Sequence, residues 1–282
     1  MALLPGVYTA KKKDGSLYYR ASITYRNKHI SLGSFPTEEL AHAAYLEADR
    51  ILKNPDIFLD EDMCSDAARL SGNAAGFYEE DTPLSFEKWV VLTNFRDNRM
   101  YIKTPIYMKN RYFLYYLDRH TILKFAVDDL FFYATHKIMR RGGHLFVADF
   151  GMQVNILSRY GIKSFGVPGR DYIFVNGDCY DFRYENIQII NYYNGVLKEM
   201  KKGFPIYTAK IHINGDFIIG RYSSETEAAI AYNKAVKILH EKGVTIAYTT
   251  NYVAELSREE YAKIYEEVKI SKKILNYTLP LS

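Results

Sequence analysis

Apolar and polar positions in the first third of the chain change period once. Over residues 6–12, 18–25 and 29–33 they alternate, predicting three strands, with turns at Asp14-Gly15 and Arg26-Asn27-Lys28. From residue 40 the spacing becomes helical: Leu40, Ala41, Ala44, Tyr45, Ala48, Ile51 and Leu52 fall on one face. Thr37 supplies a hydroxyl cap, Glu38 and Glu39 sit where the helix dipole favours acids, and Asn54-Pro55 ends the run. Alternation also assigns faces. If Ala21 and Ile23 point to the helix, then Arg20, Ser22, Thr24 and Arg26 point away from it. His29 and Ser31 join them from the third strand, and Tyr8, Ala10 and Lys12 from the first.

The same pattern occurs again near the other end. With one residue removed from a turn, Gly33, Glu38, Ala41, Ala44, Tyr45, Ala48, Ile51 and Leu52 match Gly220, Glu225, Ala228, Ala231, Tyr232, Ala235, Ile238 and Leu239. Gly6-Val7 falls opposite Gly195-Val196. The copy predicts a hairpin turn at Asn214-Gly215 and a capping box from Ser224 and Glu227. Two copies of a small sheet-and-helix module flanking an unlike centre give an α+β fold. The expected domains are 1–55, an acidic linker and aromatic helical connector 56–119, a centre 120–194, the second module 195–252 and a C-terminal helix within 253–282. Residues 84–99 read as an amphipathic helix with the single Trp89, and residues 257–275 as a helix with a Ser257–Glu260 capping box. Between 106 and 120, aromatic residues alternate with Lys109, Arg111 and Arg119, which suits either a core with snorkelling cations or a base-stacking surface.

Net charge is only +4, but its distribution is uneven. Lys11, Lys12, Lys13, Arg20, Arg26 and Lys28 face a single Asp14 in residues 1–33, and the connector is acidic at Asp56, Asp60, Glu61, Asp62, Asp66, Glu79, Glu80 and Asp81. A basic module beside an acidic connector points to a polyanionic partner. Two distant cysteines, Cys64 and Cys179, fit reduced thiols and a cytoplasmic setting. No membrane span or secretory signal is expected from the hydropathy pattern.

Two resemblances sharpen these expectations. The run ending Leu32-Gly33-Ser34-Phe35 and continuing from Glu38 to Tyr45 resembles the APETALA/ethylene-response-factor type DNA-binding domain, and Ile219-Gly220-Arg221-Tyr222 follows it more loosely. That resemblance implies a three-stranded sheet laid in the major groove of duplex DNA. Residues 172–195, YIFVNGDCYDFRYENIQIINYYNG, resemble the core of phage and homing HNH endonucleases, retaining Gly177, Asp178, Asp181, Arg183 and Asn186. Placed on that pattern, the general-base histidine is Phe174, its neighbouring acid Ile173, and the earlier histidine Ser158. Phenylalanine accepts no proton and binds no metal. None of the seven histidines lies in the Asn-rich core. The retained residues are expected to shape a loop: Asn186 on backbone groups, and Asp181 with Arg183 as an ion pair.

The resulting expectation is a bacterial or phage-type, regulatory, double-stranded DNA-binding protein with a catalytically inactive HNH-like centre and no catalytic residue, metal site or cofactor. Candidate contacts are Tyr8, Lys11, Lys12, Lys13, Arg20, Ser22, Thr24, Arg26, Lys28, His29 and Ser31 in the first copy. The second copy offers Lys201, Lys210 and His212, and the centre Arg159 with Arg140, Arg141 and Lys163. Two alternatives stay open: a nuclease using Mg2+ and an unorthodox base, and a protein-interaction factor built on former DNA-binding modules. A homodimer is compatible with each.

Overall fold

The computed structural model describes residues 3–59, 78–79 and 81–279. Asp60, Glu61, Asp62, Cys64, Asp66, Arg69 and Glu80 of the predicted connector lie outside them. The fold is α+β, built on small antiparallel sheets. The chain divides into two compact units, residues 1–154 with 179–184, and residues 155–178 with 185–282. The stretch 120–194 contributes to both.

In the first unit, β1 (Val7–Lys11), β2 (Leu17–Tyr25) and β3 (Lys28–Phe35) form a sheet covered on one face by α1 (Glu38–Lys53). Thr37 caps the helix, its Oγ1 accepting the Leu40 N–H at 3.2 Å, and Asn54 ends it. Small Ala41, Ala44 and Ala48 let the helix lie close on Val7, Ala21, Ile23, Ile30 and Leu32. The opposite side of α1 is closed by α2 (Phe86–Asn98) through Trp89, Leu92 and Phe95. This helix is not amphipathic as expected. Residues 89–96 are all buried, including Arg96, whose guanidinium donates to the carbonyls of Ile51, Asn54 and Ile57 and so closes the end of α1.

The segment 106–120, expected within a helical connector, is extended. It forms β4 (Ile106–Met108) and β5 (Tyr112–Tyr116), which pair with β6 (Ile122–Ala126). Its aromatics supply core: Phe113, Tyr115 and Tyr116 are buried, and Phe113 stacks on Phe125, whose other ring contacts include Tyr133 and Phe182. Next come α3 (Leu130–Thr135) and a sheet of β7 (Ile138–Arg141), β8 (His144–Asp149) and β9 (Met152–Asn155).

The second unit holds a short hairpin pair, β10 (Tyr172–Phe174) with β11 (Ile187–Ile189), and the second module. The module consists of β12 (Val196–Lys201), β13 (Phe204–His212), β14 (Asp216–Tyr222) and α4 (Glu225–Glu241). The terminal segment forms α5 (Arg258–Glu267) and α6 (Lys272–Leu275) rather than one helix. Between them the chain is extended, and Ser271 N–H donates to Ile219 O at 2.7 Å along β14. The Ser257–Glu260 capping box is present. That of Ser224 is not: Ser224 is the cap residue, but its hydroxyl is engaged by Thr226 Oγ1 at 2.5 Å.

The two modules match contact for contact. Each has its register shift at the same place, so that Leu32 and Ile219 are extra residues turned inward and buried. Gly6 O accepts the Ser22 N–H at 3.0 Å, and Gly195 O accepts the Lys210 N–H at 2.7 Å. Both glycines have positive φ, and each lies under the helix tyrosine, Tyr45 or Tyr232. A Cβ on Gly6 would fall 2.1 Å from Tyr45 Cδ2, and one on Gly195 2.4 Å from the Lys210 carbonyl oxygen. Gly6→Ala is therefore expected to cost about 2–4 kcal/mol in chemical denaturation, since it adds both overlap and strain. Gly142→Ala, also at positive φ but with nothing near its Cβ, isolates the conformational part at roughly 1 kcal/mol.

Candidate nucleic-acid interface

The face of the first sheet turned away from α1 is read directly from its register. Tyr8, Arg20 and Ser34 make one row across three strands, Ser22 with Ser31 the next, and Thr24 with His29 the last. Ala10 lies opposite Tyr18 on the same side. Arg20 is held in place: its Nη2 donates to the Tyr18 hydroxyl at 2.8 Å, and its guanidinium carbon lies 5.5 Å from that ring's centroid. Tyr8 is 55% exposed. Ser22, at the centre, is only 7% exposed and its hydroxyl is buried, without a hydrogen-bond partner among the described residues, so it is not open to a partner as alternation alone suggests.

The remaining predicted cations surround this face rather than lying on it. Lys12 and Lys13 belong to the β1–β2 turn, where Lys12 N–H donates to Ser16 O. The one nearby acid, Asp14, is occupied by the Ser16 N–H and hydroxyl, which hold its carboxyl below the ordinary carboxylate range. Lys11 pairs with Leu17 and shares the parity of Val7. Arg26 leaves the row that alternation assigns it to. Arg26 and Asn27 form a two-residue turn with φ of 43° and 61°, and the Arg26 guanidinium carbon lies 5.4 Å from the centroid of Tyr25. Lys28 pairs with Tyr25 on the helix side, its Nζ 5.0 Å from the centroid of Tyr101. Lys11, Lys12, Lys13, Arg20, Arg26 and Lys28 are all exposed, and among the described residues none has a carboxylate within ion-pair distance.

The second copy does not build such a surface. Lys210 is half-buried, and His212 is tied to Asp216 at 2.8 Å. Lys201 stands beside Phe204 at the hairpin end. Leu197, Ile206 and Ile218 occupy outward positions that hold Tyr8, Tyr18 and Ser31 in the first copy. Arg159 is exposed on a 3-10 turn, Ile156–Tyr160, of the second unit. Arg140 contacts Asp118 at 3.4 Å, while Arg141 sits at the exposed end of the β7–β8 hairpin.

Lys163, expected to contact phosphate, is instead structural. It is nearly buried, pairs with Asp171 at 3.0 Å and donates to Tyr193 O at 2.9 Å. Burial pushes its pKa down, against the pull of Asp171. For Asp171, burial alone raises the pKa, but hydrogen bonds from Arg170, the Val167 N–H and Lys163 outweigh it and hold the carboxyl below its ordinary value.

In the 172–189 hairpin Asn186 shapes the loop as expected, its Oδ1 accepting the Asn176 N–H at 2.8 Å and its Nδ2 donating to Asp178 O at 3.2 Å. Gly177 takes the positive φ of the turn. In the first unit Asp181 is fully buried and pairs with Arg183 at 2.6 Å and Lys124 at 3.9 Å. Phe174 is a strand residue opposite Ile187. Three histidines make local contacts: His42 Nδ1 contacts Pro5 O, His136 Nδ1 contacts Phe132 O, and His240 Nε2 contacts Ile246 O. Among the described residues, no group of three or more His, Cys, Asp or Glu side chains is placed to hold a metal ion, and no helix is long and apolar enough to cross a membrane. Cys179 is exposed and free.

Two stability predictions follow from this polar core. Asn186→Ala removes the bonds that its side chain makes to the Asn176 N–H and the Asp178 carbonyl and is expected to cost about 1–3 kcal/mol in urea unfolding. Asp171 has a lowered folded pKa, so its contribution is complete above the ordinary Asp value of roughly 4 and is lost as pH falls through the lowered value. Asp171→Asn should therefore be least stable relative to the parent at neutral pH, with the gap narrowing below about pH 4; a constant gap would contradict the assignment. Comparison of the chain with family models, curated proteins and solved structures found no match.

Proposed function

We propose that this chain binds double-stranded DNA through the outward face of the β1–β2–β3 sheet. The observation that carries the reading is the set of six exposed cations, without carboxylate partners among the described residues, gathered on one small module. Several cations elsewhere are paired instead: Arg50, Lys53, Lys124, Lys163, Arg170 and Arg183 have carboxylate partners. Unneutralised charge around a polar sheet face favours a polyanion, because releasing condensed counterions from the nucleic acid drives association. Arg20, Thr24, His29 and Ser31 offer donors and acceptors suited to base edges, with the surrounding lysines on phosphate. The resemblance to APETALA-type domains points the same way. Binding rather than cleavage is the favoured activity, because the HNH-like resemblance aligns Phe174 with the general base, and a hydrocarbon ring takes no proton from water. A regulatory, sequence-selective role belongs to this proposal.

If about six phosphates are neutralised, affinity for a labelled duplex measured by fluorescence anisotropy should fall by ~10³ between about 50 and 200 mM salt. Lys12→Ala with Arg20→Ala should weaken binding about tenfold or more at low salt, leaving thermal unfolding unchanged because both side chains are exposed. Unchanged affinity in this double variant would rule out the face. Supercoiled plasmid incubated with the chain and Mg2+ or Mn2+ should remain intact; nicking abolished by EDTA would favour a nuclease instead.

A further inference from the structure

In the second unit, three stretches of chain border one cleft. Residues 192–194, leading into β12, are joined to residues 250–255 by a paired amide: Asn194 N–H donates to Asn251 Oδ1 at 2.7 Å, and Asn251 Nδ2 donates to Asn194 O at 3.0 Å. Asn251 N–H in turn donates to Asn233 Oδ1 of α4 at 2.7 Å. The start of α4, at Glu225 and Thr226, supplies the third side. The cleft measures about 680 Å³, within the range of small-molecule sites. Glu225 and Glu255 line it together with Tyr192, Tyr193 and Tyr252.

Among the described residues neither carboxylate has a cation within ion-pair distance. Glu225 accepts only the Tyr192 N–H, at a long 3.4 Å, and Glu255 only the Tyr193 hydroxyl, at 2.9 Å. Lys163, which also lines the cleft, is already paired with Asp171 at 3.0 Å. Burial, and to a smaller degree the charge of Glu255, holds the Glu225 carboxyl above its ordinary range, despite the Tyr192 N–H and the pull of Lys198 and Lys163. Tyr192 is 56% and Tyr252 87% exposed, and among the described residues neither ring stacks on another or carries a cation. We propose that this cleft binds an alkylammonium ion, as a free aliphatic amine or as a lysine side chain. Two carboxylates without counterions favour positive charge, and tyrosine faces attract an ammonium group while covering its methylenes. An anion would meet both carboxylates, and an apolar ligand would leave them desolvated and unpaired. The inference rests on the second unit alone and holds whether or not the first module binds DNA.

The test is a ligand-observed NMR titration of the full chain, near neutral pH, with linear diaminobutane and separately with acetyl-lysine amide. The parent should bind at least one of them, and the tighter ligand identifies the source of the ammonium group. Butanediol, of the same length but uncharged, should not bind. Glu255→Gln should weaken the tighter ligand about tenfold, the size of a charge-assisted hydrogen bond, and Tyr252→Ala about threefold, the size of an exposed cation–ring contact. Both side chains are exposed, so thermal unfolding should be unchanged in either variant. No binding of either amine at millimolar concentration, butanediol binding as tightly as the amines, or affinity unchanged by Glu255→Gln or by Tyr252→Ala would each overturn the proposal.

Discussion

Each module depends on one close approach. A glycine at the entry to the first strand lies under the ring of a helix tyrosine, Gly6 beneath Tyr45 and Gly195 beneath Tyr232, with no room for a Cβ. This contact fixes how near the helix can come to the sheet. Three alanines one turn apart then let the helix backbone settle onto the strands, in the first copy on Ala21, Ile23 and Ile30. Glu38 and Glu225 reinforce the arrangement at the start of the helix, each accepting a backbone N–H from the lead-in segment, Leu4 at 2.7 Å and Tyr192 at 3.4 Å. With one sheet face closed by these contacts, the other is left to carry function.

Each module helix is also closed on its second side by an added helix, and in both cases a cation completes the junction. Arg96 from α2 reaches the last carbonyls of α1. In the second unit Lys234 from α4 donates to the carbonyls of Tyr265, Glu266 and Val268 at the end of α5. A buried or half-buried cation on orphan carbonyls satisfies groups that water would otherwise have to reach. With the scaffold held in common, the outward faces have diverged in chemistry. One is polar and ringed by unneutralised lysines and arginines; the other has Leu197, Ile206 and Ile218 among charges of both signs.

Much of this was legible in the sequence because it rests on local rules. Period-2 and helical spacing placed the strands and helices of both modules, and the Thr37, Ser257 and Asn186 hydrogen bonds were expected from residue type and position. What was missed depends on tertiary context. The aromatic residues 107–116 read as a helical connector because nothing local distinguishes a short buried strand from a buried helix. Alternation carried Arg26 to the wrong row because a two-residue turn with positive φ interrupts it. Lys163 read as a phosphate ligand, and Arg96 drew no notice, since a buried ion pair or carbonyl cap is set by residues far away in sequence. Ser224 and Glu227 had the spacing of a capping box, but Thr226 takes up the hydroxyl.

The central claim concerns where duplex DNA touches the chain, and lysine-reactive footprinting read by mass spectrometry tests it residue by residue. On adding duplex at low salt, Lys11, Lys12 and Lys13 should lose reactivity, while exposed Lys263 and Lys272 of the second unit keep theirs. Equal labelling of Lys11–Lys13 with and without duplex would contradict the account.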